Sequence, residues 1–180
     1  AFVQISKVVG NNLDLCQNNG GNVSVKVSDS IMIIKASGLE MRDVHGLNGH
    51  SIVDYAAIRE GFKNSIGDDW SLIKVVDSAV QLKEHKRPSM ETGFHAHLGK
   101  YVAHTHPVYL NVILCLEKSR EIIKEVYADL AYAYIEYKNP GYEVCSSVVG
   151  CEESGVYFLE NHGLIVSSNV CSDVMRKSVE

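Results

Sequence analysis

Short segments with two different hydrophobic patterns alternate along the chain, and this alternation restricts the fold more than any other feature. Apolar and polar residues alternate in Val23–Val27, and the apolar run Ile31–Ile34 follows after a short polar break. Residues 2–16 instead place their apolar side chains at helical spacing. Because strict alternation is typical of strands, the sequence predicts an N-terminal helix followed by a β-hairpin, and hence an α/β protein.

The same two patterns continue to the end of the chain. They predict helices at 54–62, 88–98, 108–116 and 119–134, and strands at 101–106, 157–159 and 164–166. No internal repeat, low-complexity tract or linker separates these segments. A chain of 180 residues buries a sizeable core, so we expect a single domain over residues 1–180. The missing initiator Met and the abrupt end at Val179–Glu180 predict a trimmed chain.

Composition and charge argue against several classes of protein. The net charge is -5 and the basic residues form no cluster, so we expect no nucleic-acid partner. No apolar run approaches the roughly 20 residues of a membrane-spanning helix, so we expect no membrane partner. The first residues lack the order of a signal peptide. Five scattered cysteines without a C-x-x-C pair predict a reducing, cytoplasmic location.

The segment His104-Thr105-His106 is the most informative local motif. On a strand, residues two apart point to the same face, so both imidazoles can meet at one ion. A catalytic zinc site takes three protein ligands and keeps one open position, and His162, in a polar break between two predicted strands, is the candidate third ligand. A polar surface pair or a hydrogen-bonded core pair has the same sequence. The motif alone leaves both interpretations open.

The other histidines carry less information. His95 and His97 do not share a helical face, so they are not expected to form a pair. His45, His50 and His85 stand in polar surroundings, and we expect them to be exposed to solvent.

Glu91 lies on the predicted helix that follows Pro88, on the same face as Phe94, His95 and Leu98. It has two possible roles. As a residue of the first turn it stabilises the helix dipole. If it points instead at a metal-bound substrate, burial would raise its pKa toward that of a useful general base.

Two glycine-containing segments are candidates for anion binding. Gly20-Gly21-Asn22, with Ser24, and Ser37-Gly38 combine permissive backbone with small polar side chains. Such glycines also simply make hairpins, and neither segment matches a P-loop or a dinucleotide fingerprint.

Six motifs, in this order, resemble the class II aldolase/adducin family: Gly21-Asn22-Val23-Ser24, Ser37-Gly38, Pro88-Ser89-Met90-Glu91, Phe94-His95, His104-Thr105-His106-Pro107 and Glu160-Asn161-His162-Gly163-Leu164. The resemblance covers nearly the whole chain. It implies a three-layer α/β/α sandwich around a central, mainly antiparallel sheet. It also implies a homotetramer with active sites near the subunit interfaces.

The resemblance also implies roles for individual residues. His104, His106 and His162 look like the ligands of one Zn²⁺ per chain, and Glu91 looks like the catalytic acid/base. The substrate phosphate is expected at Gly21, Asn22, Ser24, Ser37, Gly38 and Ser89. Many relatives have Ser-Ser before the acidic residue, whereas this chain has Ser89-Met90 and lacks one hydroxyl donor.

The implied activity is that of a zinc-dependent lyase. It would cleave a phosphorylated keto-sugar to dihydroxyacetone phosphate and an aldehyde in a retro-aldol reaction. A sugar-phosphate dehydratase, a 4-epimerase and a non-catalytic adducin-like scaffold are the alternatives. The epimerases typically carry Asp where Glu91 stands. The presence of all three imidazoles and the glutamate argues against a scaffold.

Overall fold

The computed structural model describes residues 1–46, 48–64, 67–81, 86–153 and 155–180. Within these ranges the chain forms eight α-helices and seven β-strands. In chain order they are α1 Phe2–Gly10, β1 Asn22–Lys26, β2 Ile31–Lys35, β3 His50–Asp54, α2 Tyr55–Asn64, α3 Asp69–Ser78, α4 Thr92–His97, β4 Tyr101–Thr105, α5 Val108–Leu114, α6 Ser119–Val126, β5 Tyr132–Ile135, α7 Tyr142–Val149, β6 Gly155–Leu159, β7 Gly163–Ser168 and α8 Cys171–Lys177.

All seven strands belong to one sheet in the order β3-β2-β1-β4-β7-β6-β5. Five neighbouring pairs are antiparallel, and the β5–β6 pair at one edge is parallel. The predicted sheet is therefore confirmed as mainly antiparallel, with the correction that it is mixed. Strand β4, which carries His104, lies at the centre of the sheet.

Helices cover both faces of the sheet, which makes three layers. On β7, Ile165 faces one apolar cluster, while Leu164 and Val166 face the other. The first cluster includes side chains of α2, α3, α4 and α7, and the second includes side chains of α1, α5, α6 and α8. The α/β/α sandwich expected from the resemblance is confirmed.

Four of the five predicted helices are shorter than the sequence pattern suggested; α4 begins at Thr92 rather than at 88, and α5 ends at Leu114 rather than at 116. The predicted helix 119–134 ends at Val126, and Tyr132–Ile135 is instead strand β5. In β5 the side chains alternate between the two clusters, with Tyr132 and Tyr134 on one side and Ala133 and Ile135 on the other. As a strand, this segment therefore contributes side chains to both apolar clusters. A helix at the edge of the sheet would not do so.

The N-terminal helix ends at Gly10 rather than at residue 16. A Cβ at Gly10 would lie 2.5 Å from the backbone nitrogen of Arg42, so this helix end packs closely on the short 3-10 helix Met41–Asp43. The sequence pattern did not predict β3, α3, α7 or α8. None of the helices in the described residues is long and apolar enough to cross a membrane.

Candidate active site

Three histidines meet at one end of the central strand. His104 belongs to β4 and lies opposite Asn22 of β1 and Ile165 of β7. His106 follows two residues later, and His162 comes from the turn between β6 and β7. Potential ligand atoms of the three residues all lie within 4.8 Å of one another. The predicted convergence of these imidazoles is therefore present in the fold.

The β6–β7 turn places His162 through its backbone conformation. Asn161 has a φ of 54°, in the left-handed region that asparagine tolerates better than most residues. Asn111 of α5 donates from its side-chain amide to the carbonyl oxygen of His162 at 3.1 Å. The third imidazole is thus held from two elements.

The hydrogen bond of His104 fixes its tautomer. Nδ1 lies 3.0 Å from the carbonyl oxygen of Leu164, which can only accept, so Nδ1 carries the proton. Burial lowers the pKa of His104 to about 4, although Glu91 opposes the shift, so the ring is neutral. Its Nε2 then directs a lone pair toward Nε2 of His106, 3.0 Å away. A ligating histidine typically donates its other N–H in this way.

The donor set fits a divalent metal ion. A proton from His106 could satisfy the His104–His106 pair, but a cation would satisfy three converging imidazoles at once. Within the described residues, Nδ1 of His162 is buried and has no hydrogen-bond partner. Three imidazoles with an open fourth position form a typical catalytic zinc site.

Glu91 points into the histidine cluster. Its Oε1 lies 3.1 Å from Nε2 of His162, and its Oε2 lies 3.6 Å from Nε2 of His104. Asn22 donates from Nδ2 to Oε2 at 2.7 Å. Glu91 stands at the N-cap of α4, but its side chain makes no capping hydrogen bond there. Of the two roles open from the sequence, the geometry favours the one in the site.

The expected rise in the pKa of Glu91 is wrong. Burial does raise the pKa of this carboxyl group, but His104, His162 and the Asn22 amide outweigh burial and hold it well below the usual value. The reason is that the carboxylate is surrounded by groups that favour its charged form. Glu91 is therefore a carboxylate that can accept a proton.

A buried hydrogen-bonded chain lies behind Glu91. The side-chain oxygen of Asn22 bonds to Nε2 of His95, and Nδ1 of His95 lies 2.7 Å from Oγ of Ser24. Ser24 is only 1% exposed, so it stands behind His95 rather than at the open side of the site. The sequence placed His95 on the same helical face as Glu91 but did not predict this chain.

The two glycine-containing loops lie side by side. Gly21 has a φ of 69°, and a Cβ there would lie 2.6 Å from the carbonyl oxygen of His104, so no larger residue fits without a shift. Gly38 has a φ of 76° with open space around it. The Ser37 amide donates to the carbonyl oxygen of Arg87 at 2.8 Å, which places this loop next to the segment that leads to Ser89.

Lys35 joins the two loops, and the sequence analysis missed it. Its ammonium group donates to the carbonyl oxygens of Asn19 at 3.2 Å and Leu39 at 2.7 Å. The side chain is buried, and burial lowers its pKa. A single charged residue that closes the apolar run Ile31–Ile34 was the available signal, because a buried lysine needs polar partners.

The remaining histidines lie apart from the cluster. His45 is exposed, as expected. His50 is partly buried, since it stands in β3 with its ring 6.1 Å from that of Phe2, so the expected full exposure is wrong. His97 donates from Nδ1 to the carbonyl oxygen of Gly93 and packs against Phe62. His85 lies outside the described residues.

The fold is a three-layer α/β sandwich, and its site combines a three-histidine cluster with a buried glutamate. A protein of this class can hold a metal ion next to a proton acceptor. The family model described as the Class II Aldolase and Adducin N-terminal domain matches residues 1–179. The chain belongs to this family.

The chain is similar to one curated protein and to several solved structures. It is 25% identical over 193 aligned positions to the uncharacterized oxidoreductase YuxG of Bacillus subtilis (strain 168), and the match covers 99% of this chain. The chain spans only 27% of the length of that protein.

Two solved structures share the fold. One is the N-terminal class II aldolase domain of a conserved protein from Thermoplasma acidophilum, with a TM-score of 0.87, 22% identity and coverage of 99% of this chain and 87% of that one. The other is the l-fuculose-1-phosphate aldolase from Thermus thermophilus, with a TM-score of 0.60, 15% identity and coverage of 98% and 83%.

Proposed function

We propose that this protein is a zinc-dependent lyase that cleaves a phosphorylated keto-sugar to dihydroxyacetone phosphate and an aldehyde. One observation carries the proposal: Glu91 lies 3.1 Å from His162 and 3.6 Å from His104, inside a cluster of three histidines. Family membership supports an enzyme of the class II aldolase type. A retro-aldol reaction needs a stabiliser of negative charge and a mobile proton, and these residues provide for both.

His104, His106 and His162 would hold one zinc ion per chain. When bound, such an ion supplies Lewis acidity that stabilises negative charge on neighbouring substrate oxygens. His104 is prepared for this role because its Nδ1–H bonds to the carbonyl oxygen of Leu164, which leaves Nε2 free to ligate.

Glu91 moves the proton. Its Oε2 is held by the Asn22 amide at 2.7 Å, and its Oε1 faces the histidine cluster. The carboxylate is ionised, so it accepts a proton from a substrate hydroxyl or carbon and returns it later in the cycle. Because one oxygen is fixed by the amide, the other has a defined direction.

The substrate phosphate would bind at Gly21, Asn22, Ser37, Gly38 and Ser89. Asn22 would contribute its backbone, because both ends of its side-chain amide bond to Glu91 and His95, and Ser24 lies buried behind His95 rather than at the phosphate. Two features support this location. The loops are adjacent, and the buried Lys35 brings positive charge next to them. Met90, where many relatives carry serine, contributes no hydroxyl, so we expect phosphate binding to be weaker than in those relatives.

A homotetramer with a cytoplasmic location completes the proposal. One surface of α5 and the residues after it exposes the apolar side chains Val108, Tyr109, Val112 and Leu116, and Tyr109 is 73% exposed. Such a stripe next to the site is typical of a surface that another subunit covers. The partners would then be a small phosphorylated sugar and further copies of the same chain.

The test combines metal analysis with a substrate screen. Purified protein should contain about one zinc ion per chain, and a panel of ketose 1-phosphates should include one that releases dihydroxyacetone phosphate. The His45→Ala variant, altered at an exposed histidine, is the control and should behave like the unmodified chain. Loss of water would identify a dehydratase, and inversion at C4 an epimerase. Absence of metal and of any turnover would support a scaffold.

A further inference from the structure

We infer that His95 and Ser24 are positioning residues. They fix the orientation of the Asn22 side-chain amide so that its nitrogen faces Glu91. The inference rests on the proposed function, because it assigns a task within the same site. Neither residue touches the reacting atoms. They act through Asn22, which touches the carboxylate.

The direction of each hydrogen bond follows from simple chemistry. The carboxylate of Glu91 only accepts, so Asn22 must turn its NH₂ group toward it, at 2.7 Å. The amide oxygen of Asn22 then faces His95, and since it also only accepts, Nε2 of His95 must carry the proton. A neutral His95 therefore accepts at Nδ1, where the hydroxyl of Ser24 lies 2.7 Å away and donates.

The fold locks this chain in place. Asn22 and Ser24 stand two residues apart on β1 and are both buried, as is His95 of α4. The ring of Phe94 stacks on His95 with centroids 4.7 Å apart and meets His104 edge-on. Without access to water, each of these polar groups depends on the next, and loss of one leaves a buried partner unsatisfied.

Glu91 is the residue whose position depends on the orientation of the Asn22 amide. If the Asn22 amide were reversed, its oxygen would face the carboxylate and repel it. With the nitrogen inward, Oε2 is held and Oε1 is directed at the histidine cluster. The chain from Ser24 thus sets the position of the proton acceptor, and its loss should slow turnover without changing substrate affinity.

The first test reads the tautomer of His95 directly. In zinc-loaded protein labelled with ¹⁵N-histidine, NMR should show His95 neutral with the proton on Nε2. The signal is assigned by its disappearance in the His95→Gln variant. A proton on Nδ1 instead would overturn the inference. This measurement needs no substrate, so its result stays separate from a failure of the proposed lyase activity.

The second test separates kcat from KM. Ser24→Ala and His95→Leu should lower kcat roughly 10- to 100-fold, the usual range for residues that orient a functional group, with KM and zinc content unchanged. His95→Gln keeps an N–H close to the position of Nε2 and should restore most of the rate. Ser6→Ala, a change at another fully buried serine, is the matched control.

Two kinetic results would contradict the inference. One is a loss in Ser24→Ala no greater than in Ser6→Ala. The other is a rise in KM for the phosphorylated substrate, which would make Ser24 and His95 part of phosphate binding. If His95→Leu does not fold, Ser24→Ala and His95→Gln still decide, because both retain a polar or small side chain of fitting size.

Discussion

At the scale of single residues, Glu91 is defined by separate partners for its two oxygens. Oε2 accepts from Asn22, and Oε1 lies beside His162. The Glu91→Gln variant keeps the shape of the side chain but cannot accept a proton as a carboxylate does. We expect the fold and zinc content to be retained while turnover falls by about 10²- to 10⁴-fold. Steady-state rates with the substrate from the screen test the expected loss of turnover. An unchanged rate would show that Glu91 has only a structural role.

The histidine pair on β4 gives the second prediction at this scale. His106 is only partly buried, whereas His104 is completely buried, so His106→Ala is the less disruptive change. Each single alanine variant should lose both zinc and activity, because two imidazoles do not complete a three-ligand site. Metal analysis of the purified variants measures the zinc content, and the aldehyde assay measures the activity. Full zinc content in the His104→Ala, His106→Ala double variant would refute the ligand assignment.

The sequence predicted the members of this site better than their electrostatics. The spacing of His104 and His106 predicted that they share one face of a strand, although it left a metal site and an ordinary polar pair both open. The lowered pKa of Glu91 was not predictable, because the groups that outweigh burial, first His104 and His162 and then the Asn22 amide, come from other elements of the fold. The hydrogen bonds of His95 were missed for the same reason, because its partners Asn22 and Ser24 are 73 and 71 positions away. Lys35 was missed although its partner Leu39 is near in sequence, because the hydrophobic pattern does not show that this side chain is buried.

At the scale of elements, strand β1 shows why an alternating pattern does not reveal what its polar face meets. Val23 and Val25 face one apolar cluster, as the alternation predicts. The other face carries Asn22, Ser24 and Lys26, and all three are buried. Alternation usually indicates that the polar face is in water. Here α4 covers it, which turns the polar face into the interior of the site.

The loop after β2 provides a prediction for phosphate binding. Gly38 has a φ of 76° and open space around it, so Gly38→Ala strains only the backbone, by roughly 1 kcal/mol. We expect a higher KM for the phosphorylated ketose and an unchanged zinc content. Gly46→Ala is the matched control, since it also has open space but no positive φ. An equal KM in both variants would mean that the Ser37–Gly38 loop is structural.

Gly21 is a less suitable position for the same experiment. A side chain there would press on the carbonyl oxygen of His104, 2.6 Å from the new Cβ. The Gly21→Val variant should therefore disturb the proposed metal ligands as well as the proposed phosphate loop. Its effect on KM would not identify which of the two was changed.

At the scale of the whole molecule, the layers could be predicted but the details of the sheet could not. The resemblance implied three layers, and the faces of β7 are apolar on both sides, as a central strand requires. The parallel edge strand β5 escaped prediction, because its four residues are too few to distinguish alternation from part of a helix. Strand order depends on contacts between distant segments, which periodicity does not encode.

Burial of Lys26 gives the last prediction, for the stability of the whole protein. Its ammonium group bonds to the carbonyl oxygen of Leu98 and lies 4.8 Å from the centre of the Tyr55 ring. Burial, with a smaller contribution from nearby Arg59 and against the opposing effect of Glu153, lowers the pKa of Lys26 from 10.5 to about 7. Between these two pH values the unfolded chain holds a proton that the folded chain has released. The free energy of unfolding should therefore rise with pH across this window and gain nothing from Lys26 below it.

Lys26→Met should remove this contribution, which for one proton is at most about 1.4 kcal/mol per pH unit. Urea unfolding of both proteins from pH 6 to pH 10.5 measures it as the difference between the two stability curves. Other groups titrate in the same range, but they are common to both proteins and cancel in that difference. Lys63→Met, at a lysine whose side chain is 72% exposed, controls for the loss of a positive charge. Parallel curves for Lys26→Met and the unmodified chain would show that Lys26 keeps its proton in the folded state, and that β1 carries a buried charge.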